Sequence, residues 1–274
     1  MIAAIWNYNR DAYKRFIQDD GMALAGNIAF CMILALFPFL IFLASLAGFF
    51  GDEALAELAV DYLLSVAPVQ LAKAISPEIH TLLTAPRPDL LTLAVAFTIW
   101  TASGSVESVR VGLNRAYGYV EHRPYWFRFI QNVLFVVGGA AVLLALSTTV
   151  VMGPLIWGKV VFYFPAMENF AARFSLLAYP VSLVLLTGAL IAAHLFLPAK
   201  RHRLGEIWPG IVLTMVLWLA AAFGYSYYLA HFSTLISLYA GLSGIIIALT
   251  FLYLSGALLI WGGEINQVLI MRSD

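Results

Sequence analysis

Six long apolar runs divide the chain, and they constrain its fold more than any other feature of the sequence. A helix needs about 20 consecutive apolar residues to cross a hydrocarbon core of about 30 Å. Only 11% of the residues are charged, whereas soluble domains carry about 25%. The sequence therefore predicts an all-α, polytopic membrane protein. Its six transmembrane helices are expected at residues 22–50, 90–111, 129–152, 174–196, 207–230 and 242–263.

The second of these runs is the shortest, and its length predicts how deep two charged residues lie in the membrane. Its purely apolar part covers residues 90–102, and a helix of that length reaches only about 20 Å of the 30 Å required. The proline-rich residues 86–89 block any extension at its start. To cross the membrane, the helix must therefore include the polar residues that follow. This places Glu107 and Arg110 at the membrane boundary or about one turn inside it.

The basic residues are distributed unevenly between the two sides of the six helices, and this bias predicts the orientation. Alternating spans place eleven of the fifteen Lys and Arg residues on one side. Loops with such an excess are cytoplasmic, so both termini are expected in the cytoplasm. The eleven are Arg10, Lys14, Arg15, Arg110, Arg115, Arg123, Arg128, Lys200, Arg201, Arg203 and Arg272, and the other four are Lys73, Arg87, Lys159 and Arg173.

Amphipathic segments flank the first span, within a single integral membrane domain that covers residues 1–274. Residues 1–20 alternate apolar and basic residues at helical spacing, which predicts a helix on the inner membrane surface. Residues 51–89 carry an apolar stripe opposite acidic residues such as Asp52 and Glu57, which predicts extracytoplasmic amphipathic helices. These helices either pack on the bundle as a lid or gate a substrate.

The residue patterns of common catalytic and metal sites do not occur in the sequence. No histidine belongs to an H-E-x-x-H motif, and phosphate-binding loops, nucleophile elbows and paired aspartates are missing. His194 is expected to hydrogen-bond between helices rather than to bind a ligand or carry protons. The single Cys31 is a small apolar residue in an apolar run. We therefore expect no enzyme, no catalytic residues, no metal site and no cofactor.

Polar residues within or beside the spans lie mainly in their cytoplasmic halves. Asn27 lies about 8 Å inside the first span by helical rise. Asn114 shares the polar face of the second helix with Glu107. One interpretation is a polar cavity that opens inward beneath an apolar outer half. The alternative is that these helix ends are polar because they meet water and headgroups.

Three charged residues give the sharpest hypothesis. Helical rise places Glu107, Arg110 and Glu264 at similar depth, so one or both carboxylates neutralise the arginine. Glu107 and Arg110 are three residues apart on one helix face and reach each other. A pair of Arg110 with Glu264 would tie the second span to the sixth, and pairing makes such charges tolerable in a membrane. The cluster is either a structural clamp or a coupling or headgroup site.

Prolines and glycines mark two further features of the spans. Pro38 and Pro180 lie inside spans, where the missing backbone N–H predicts a kink. Gly138 and Gly139 in the third span, and several glycines in the sixth, leave room for close helix packing. Such packing serves either folding within the chain or a homo-oligomer, and both remain open.

Four motifs in order resemble landmarks of one family of bacterial inner-membrane proteins. They are AGNIAFCMILALFPFLIF in the first span, GLNRAYG after the second, LPAKRHRLGEIWPGIVLTMVLW, and YAGLSGIIIALTFLYLSGALLIWGGEIN in the sixth. Together they are similar to the YihY/virulence factor BrkB family over residues 20–268. The sequence departs from the family pattern at Asn27, where a small apolar residue is expected, and at Thr250-Phe251, where Leu-Trp is typical.

This resemblance implies six helices in the bacterial inner membrane and no settled activity. Members were once labelled as a tRNA-processing ribonuclease, ribonuclease BN, and that label is taken as misapplied. The chain has no net charge and so lacks the basic character of a nucleic-acid-binding protein. Family members are associated with virulence, serum resistance and envelope lipid homeostasis.

These observations favour a transport-like or lipid-handling membrane protein whose partners are membrane lipids. An amphiphile is expected to enter between helices near Glu107, Arg110 and Glu264. The alternative is a non-transporting scaffold that binds envelope partners through residues 51–89. An intramembrane enzyme is the third interpretation, and it would need a catalytic constellation that the sequence does not display.

Overall fold

The computed structural model describes residues 2–49, 88–146, 149, 157, 160–164, 167–231 and 243–273. Within these residues the regular structure is helical, which confirms the predicted all-α class there. The extracytoplasmic helices predicted for residues 51–89 fall almost wholly outside them. The long helices are α1 Ile2–Gln18, α2 Gly21–Phe49, α3 Pro88–Ala116, α4 Tyr125–Leu146, α5 Glu168–Phe196, α6 Leu204–His231 and α7 Ser243–Ser273.

Four helical segments in the described part of the chain are long and apolar enough to cross a membrane. They are Tyr125–Leu146, Leu177–Phe196, Leu204–Leu229 and Ile245–Arg272. Many of their large apolar side chains are exposed on the outside of the bundle, including Leu134, Val184 and Phe223. A surface of this kind suits lipid rather than water. In α2 the described apolar stretch covers Gly21–Ala35.

Several helices extend beyond the predicted spans. Helix α3 begins at Pro88, because proline at the first helical position loses no hydrogen bond that the helix could make. Helix α7 runs to Ser273, well past the predicted end at residue 263. Pro180 lies near the middle of α5, which begins six residues before the predicted span. Helices α2 and α5 remain helical through Pro38 and Pro180, and kinks at these residues stay predictions.

Helix α3 packs between α2 and α4 and also touches α7. Its residue Leu113 is fully buried together with Ile28 of α2 and Ile260 of α7. A β-carbon on Gly112 would lie 3.2 Å from the Ile260 side chain, so the missing side chain lets these helices approach. Helix α1 packs on the end of α7, where its Ala12 joins a second apolar cluster.

Helices α6 and α7 approach each other closely at two glycines. A β-carbon on Gly210 would lie 2.1 Å from the carbonyl oxygen of Gly262, and one on Gly262 would lie 2.1 Å from Thr214 Oγ1. Neither position has room for any side chain. The prediction that glycines of the last span permit close packing is confirmed here.

Gly138 and Gly139 behave differently from the glycines of α7. A β-carbon at either position would meet nothing within 4 Å. Within the described residues they face a groove between α4 and α5 of about 480 Å³. Within the described bundle α5 stays too far from these two residues for close packing, and their packing in a homo-oligomer stays a prediction.

The end of α3 turns sharply at Gly118, which has a φ of +69°. The Tyr119 N–H donates to the Asn114 carbonyl at 2.8 Å, and the Gly118 N–H donates to Arg115 at 3.0 Å. This pattern is a Schellman motif with glycine in the left-handed position. It directs the chain into the loop before α4.

Candidate functional site

Polar side chains on α3 form two stripes that face different neighbours. The hydroxyl stripe recurs at intervals of three and four residues and faces α2. Its members, all buried, are Thr98, Thr101, Ser105 and Ser108. The charged stripe follows the same spacing and faces α4. Its members are Ser103, Glu107, Arg110 and Asn114. Helical periodicity explains both stripes, since residues three or four apart share a face.

Glu107 is the hub of an ion-pair network between α3 and α4. Its carboxylate accepts hydrogen bonds from Arg110, one turn away, and from Arg128 of α4. Asn132 Nδ2 also donates to Glu107 Oε2 at 3.0 Å. Arg110 is fully buried and donates its second terminal nitrogen to Gln131 Oε1 at 2.9 Å. Two arginines around one carboxylate leave a net charge of +1.

Glu264 does not join this network, although its depth suggested that it would. Its fully buried carboxylate pairs with Arg15 of α1, whose Nε lies 2.9 Å from Glu264 Oε2. Arg15 also donates to the Ala116 carbonyl at the end of α3, at 3.3 Å. The predicted link between Arg110 and Glu264 is therefore replaced by two separate pairs. Residue 263 faces the end of α3, and one helical step turns residue 264 toward α1.

Asn114 connects the loops at this end of the bundle. Its Nδ2 donates to Glu121 Oε2 at 3.1 Å, and its Oδ1 accepts from the Ala199 backbone N–H at 2.7 Å. Arg123 pairs with Glu121 at 2.6 Å and donates to the Leu197 carbonyl at 2.6 Å. The hydrogen-bonded Arg123 guanidinium lowers the pKa of Glu121 to about 2, more than burial raises it. Asn114 thus fixes the loop before α4 to the loop before α6.

A buried hydrogen-bond chain runs from Tyr117 to the α6–α7 crossing. The Tyr117 hydroxyl lies 2.8 Å from His194 Nδ1 and accepts from Asn266 Nδ2 at 3.0 Å. Asn266 Oδ1 accepts from the Gly210 backbone N–H at 2.7 Å. His194 is thus an interhelical hydrogen-bonding residue, as predicted. Burial raises the pKa of Tyr117, and burial lowers the pKa of His202 in the loop before α6.

Asn27 links α2 to the hydroxyl stripe of α3. Its Nδ2 donates to Ser108 Oγ at 3.0 Å, and Ser108 Oγ lies 3.0 Å from the Gly104 carbonyl oxygen. Cys31 Sγ lies 3.2 Å from the same hydroxyl. The side chain that departs from the family pattern therefore has a polar partner across the helix interface.

A cavity of about 250 Å³ lies beside this network, between α2, α3 and α4. Its floor contains polar groups of Glu107, Asn132 and Ser103. Its walls are mostly apolar or aromatic. They comprise Cys31, Leu34, Trp100, Thr101, Gly104, Tyr125 and Phe129. Trp100 and Tyr125 are more than 60% exposed, so the cavity opens on the outer surface of the bundle.

The predicted site residues are only partly brought together. Glu107 lines the cavity and Arg110 lies behind it, whereas Glu264 and Asn114 belong to separate contacts. The polar groups at the helix ends are largely hydrogen-bonded to each other. The cavity beside Glu107 lies between helices at the side of the described bundle. The apolar outer half predicted above an inward-opening cavity falls largely outside the described residues and stays a prediction.

Sequence reasoning did not predict three partners in these networks. Arg128 and Asn132 are four residues apart on α4, and this spacing alone would have placed both on the face that meets Glu107. Arg15 gave a weaker signal, because its helix was expected to lie on the membrane surface. It lies three residues from Ala12, on the face of α1 that packs against α7.

Among the described residues, no group of three His, Cys, Asp or Glu side chains is arranged to hold a metal ion. The charged groups near the cavity are instead two arginines and one carboxylate already bonded to them. This arrangement offers hydrogen bonds and a local positive charge rather than side chains free to coordinate a metal ion.

Comparison with known proteins gives a clear family match. The family model described as Virulence factor BrkB matches residues 12–274, which include every residue of the networks described above. The ribonuclease-like protein YfkH of Bacillus subtilis (strain 168) is 25% identical over 270 residues, covering 97% of this chain and 96% of that protein. No solved structure is a match. The resemblance carried by the four sequence motifs is confirmed.

Proposed function

The chain belongs to the Virulence factor BrkB family, and from this premise we propose that it binds and handles a lipid-like amphiphile in the membrane. The binding site is the cavity between α2, α3 and α4. The role is transport-like or lipid-handling and serves the homeostasis of the bacterial envelope. No catalysis is part of the proposal.

One observation carries this proposal, namely the mixed lining of the cavity. Leu34, Trp100 and Phe129 offer apolar surface, while Glu107 and Asn132 offer polar groups at the floor. Ligand sites are typically apolar with a few placed polar groups. An amphiphile fits both parts, because its chain packs on the walls while its headgroup reaches the floor. A purely polar solute would leave the walls exposed to water.

The opening of the cavity fits a ligand that arrives from the bilayer. Trp100 lies about 10 Å along α3 from Glu107 by helical rise, and both line the cavity. Trp100 and Tyr125 at its edge are exposed on the apolar outer surface. A lipid molecule could therefore enter sideways without crossing the packed core.

The proposal includes six spans, with both termini cytoplasmic in the bacterial inner membrane. Helix α2 continues to Phe49 and α3 covers Pro88–Ala116, lengths of about 43 Å each by helical rise. The four long apolar segments and these two helices make up the six. Cysteine accessibility at Arg115→Cys and Lys200→Cys, in right-side-out and inside-out vesicles on a Cys31→Ser background, tests the orientation. Labelling of either cysteine from the outer side would contradict it.

A reconstituted vesicle assay tests the handling of lipids directly. Full-length protein is incorporated into vesicles that contain fluorescent phospholipid reporters, and movement between leaflets is followed with a membrane-impermeant quencher. We expect faster movement than in protein-free vesicles. Folded protein that neither moves nor retains any lipid would contradict the proposal and favour the scaffold alternative.

A substitution at Gly104 tests whether the cavity is the site. A β-carbon there meets nothing within 4 Å, and the residue lines the cavity. Gly104→Phe should fill the space and abolish lipid handling without disturbing the fold. Gly138→Phe is the matched control, since it places the same side chain in the open groove between α4 and α5. Equal loss in both variants would argue against the cavity.

The name of the Bacillus subtilis relative suggests a second experiment. That protein is described as ribonuclease-like, so the purified chain should be incubated with RNA substrates. We expect no cleavage above that of a mock purification. Cleavage that persists in pure protein and disappears on Glu107→Gln substitution would overturn the non-catalytic proposal.

A further inference from the structure

Two residues that line the cavity each have a buried polar atom that no described residue satisfies. Ser103 Oγ and Asn132 Oδ1 both lack a hydrogen-bond partner, and both residues are only 4% exposed. Both residues line the cavity. Buried polar atoms without partners are rare because they cost free energy. Two of them on one cavity floor point to a ligand that supplies the missing hydrogen bonds.

The orientation of the Asn132 amide follows from its neighbour. The Glu107 carboxylate can only accept hydrogen bonds, so the Asn132 group facing it must be the NH₂ group, as found at 3.0 Å. The amide oxygen is therefore the free atom. Asn132 Oδ1 can thus accept a hydrogen bond from a donor on the ligand, and the Ser103 hydroxyl oxygen can accept a second one.

The Glu107 carboxylate itself is already engaged. Its two oxygens accept from Arg110, Arg128 and Asn132, and the surrounding network has a net charge of +1. A free cation is therefore disfavoured at the floor. A zwitterionic or anionic headgroup that also carries N–H or O–H donors meets both requirements.

We infer that the cavity selects lipids whose headgroup donates hydrogen bonds to Asn132 Oδ1 and Ser103 Oγ. Two common sources share this chemistry, the primary ammonium of ethanolamine lipids and the hydroxyls of glycerol lipids. Choline lipids have a similar size but no N–H or O–H in the headgroup, so they leave both atoms unsatisfied. This inference rests on the proposed lipid-binding function and names the ligand class of that site.

Competition between matched lipids tests the inference. Full-length protein in detergent micelles receives equimolar phosphatidylethanolamine, phosphatidylglycerol and phosphatidylcholine with identical acyl chains, and native mass spectrometry counts the bound lipids. We expect phosphatidylcholine to bind about fivefold less well, which corresponds to about 1 kcal/mol for one hydrogen bond. Preference for the ethanolamine lipid alone identifies the ammonium as the donor, and preference for the glycerol lipid alone identifies the hydroxyls.

Ser103→Ala separates ligand recognition from folding. Because Ser103 Oγ has no partner in the described protein, its loss should leave thermal stability unchanged while the preference over phosphatidylcholine falls several-fold. Ser182→Ala is the control, since its hydroxyl donates to the Ala178 carbonyl on α5 at 2.8 Å, away from the cavity lining. It should leave the preference unchanged.

The outcomes distinguish two failures. Equal binding of all three lipids, or an unchanged preference in Ser103→Ala, would overturn the headgroup inference while lipid binding itself stands. Absence of any bound lipid that Gly104→Phe can displace would instead overturn the proposed function.

Discussion

Two regions of the bundle use glycine in opposite ways. At the α6–α7 crossing, Gly210 and Gly262 touch backbone or side-chain atoms of the facing helix so closely that a β-carbon would lie 2.1 Å from them. On the α3–α4–α5 side, Gly104, Gly138 and Gly188 face open space, with nothing within 4 Å of a β-carbon. The same residue type closes one interface and leaves the other open.

This difference separates a fixed frame from an open side. The frame comprises α1, α6, α7 and the end of α3, which are joined by close backbone contact, the Arg15–Glu264 pair and the Asn266 hydrogen bonds. The open side comprises α4, α5 and the parts of α2 and α3 that line the cavity, and it contains the cavity and the groove. The lipid handling proposed above would need both a fixed frame and an open side, because packed interiors do not deform without cost.

The largest expected effect concerns the ion pair of the frame. Arg15→Met should destabilise the protein by about 3 kcal/mol, because it leaves the fully buried Glu264 carboxylate without its partner. Arg15→Met combined with Glu264→Leu should recover most of the loss, since replacing both members of a buried pair is often nearly neutral. Denaturant unfolding in micelles, followed by circular dichroism, measures both. A double variant as unstable as Arg15→Met would contradict the pairing.

The same approach decides between the two networks. Arg110→Met and Glu264→Leu should have additive effects on the free energy of unfolding, because the structure gives these charges different partners. A coupling free energy above about 1 kcal/mol between the two substitutions would show that Arg110 and Glu264 interact, against the separate pairs described above.

A smaller effect distinguishes the two kinds of glycine directly. Gly210→Ala should cost about 1–3 kcal/mol, because the new β-carbon would collide with the Gly262 carbonyl oxygen. Gly104→Ala should instead be neutral or stabilise by up to about 1 kcal/mol, since alanine is the better helix former. Thermal unfolding of the two variants in the same detergent compares them. Similar changes in the thermal stability of the two variants would contradict the distinction between frame and open side.

Glycine at the end of α3 serves a third purpose, which is conformational. Gly118 has a φ of +69° and open space around its β-position, so Gly118→Ala strains the backbone without causing a clash. The expected loss is about 1 kcal/mol, smaller than at Gly210. Gly118→Asn should lose less, because asparagine tolerates the left-handed region. Equal loss in the two variants would contradict a purely conformational role.

The smallest effect is the response to acid of the loops at the charged helix ends. Arg123 holds the pKa of Glu121 at about 2, below the 4.5 of a free glutamate. The stabilisation from Glu121 is therefore complete above about pH 4.5 and is lost as the pH falls towards 2. Melting curves across this range should show a shallower acid dependence for Glu121→Gln than for the wild type. An identical dependence would show that Glu121 does not contribute.

The sequence by itself determined features that depend on local spacing or composition. Apolar runs predicted the positions of α2 to α7, and the three-residue spacing placed Glu107 beside Arg110. Each of these depends on atoms within one or two helical turns. The four motifs also identified the family, since they occur in the order that is typical of its members.

Only the tertiary structure decided the partners across helices. Helical rise gives the depth of Glu264 along its axis, but its partner depends on the rotation of α7 and on which helix is adjacent. The structure places α1 there, so Arg15 rather than Arg110 meets the carboxylate. The rotation of each helix and the identity of its neighbour also decide that Gly262 lies against α6, whereas Gly138 has open space beside it. The cavity beside Glu107 arises in the same way, because three helices define it and no single segment contains it.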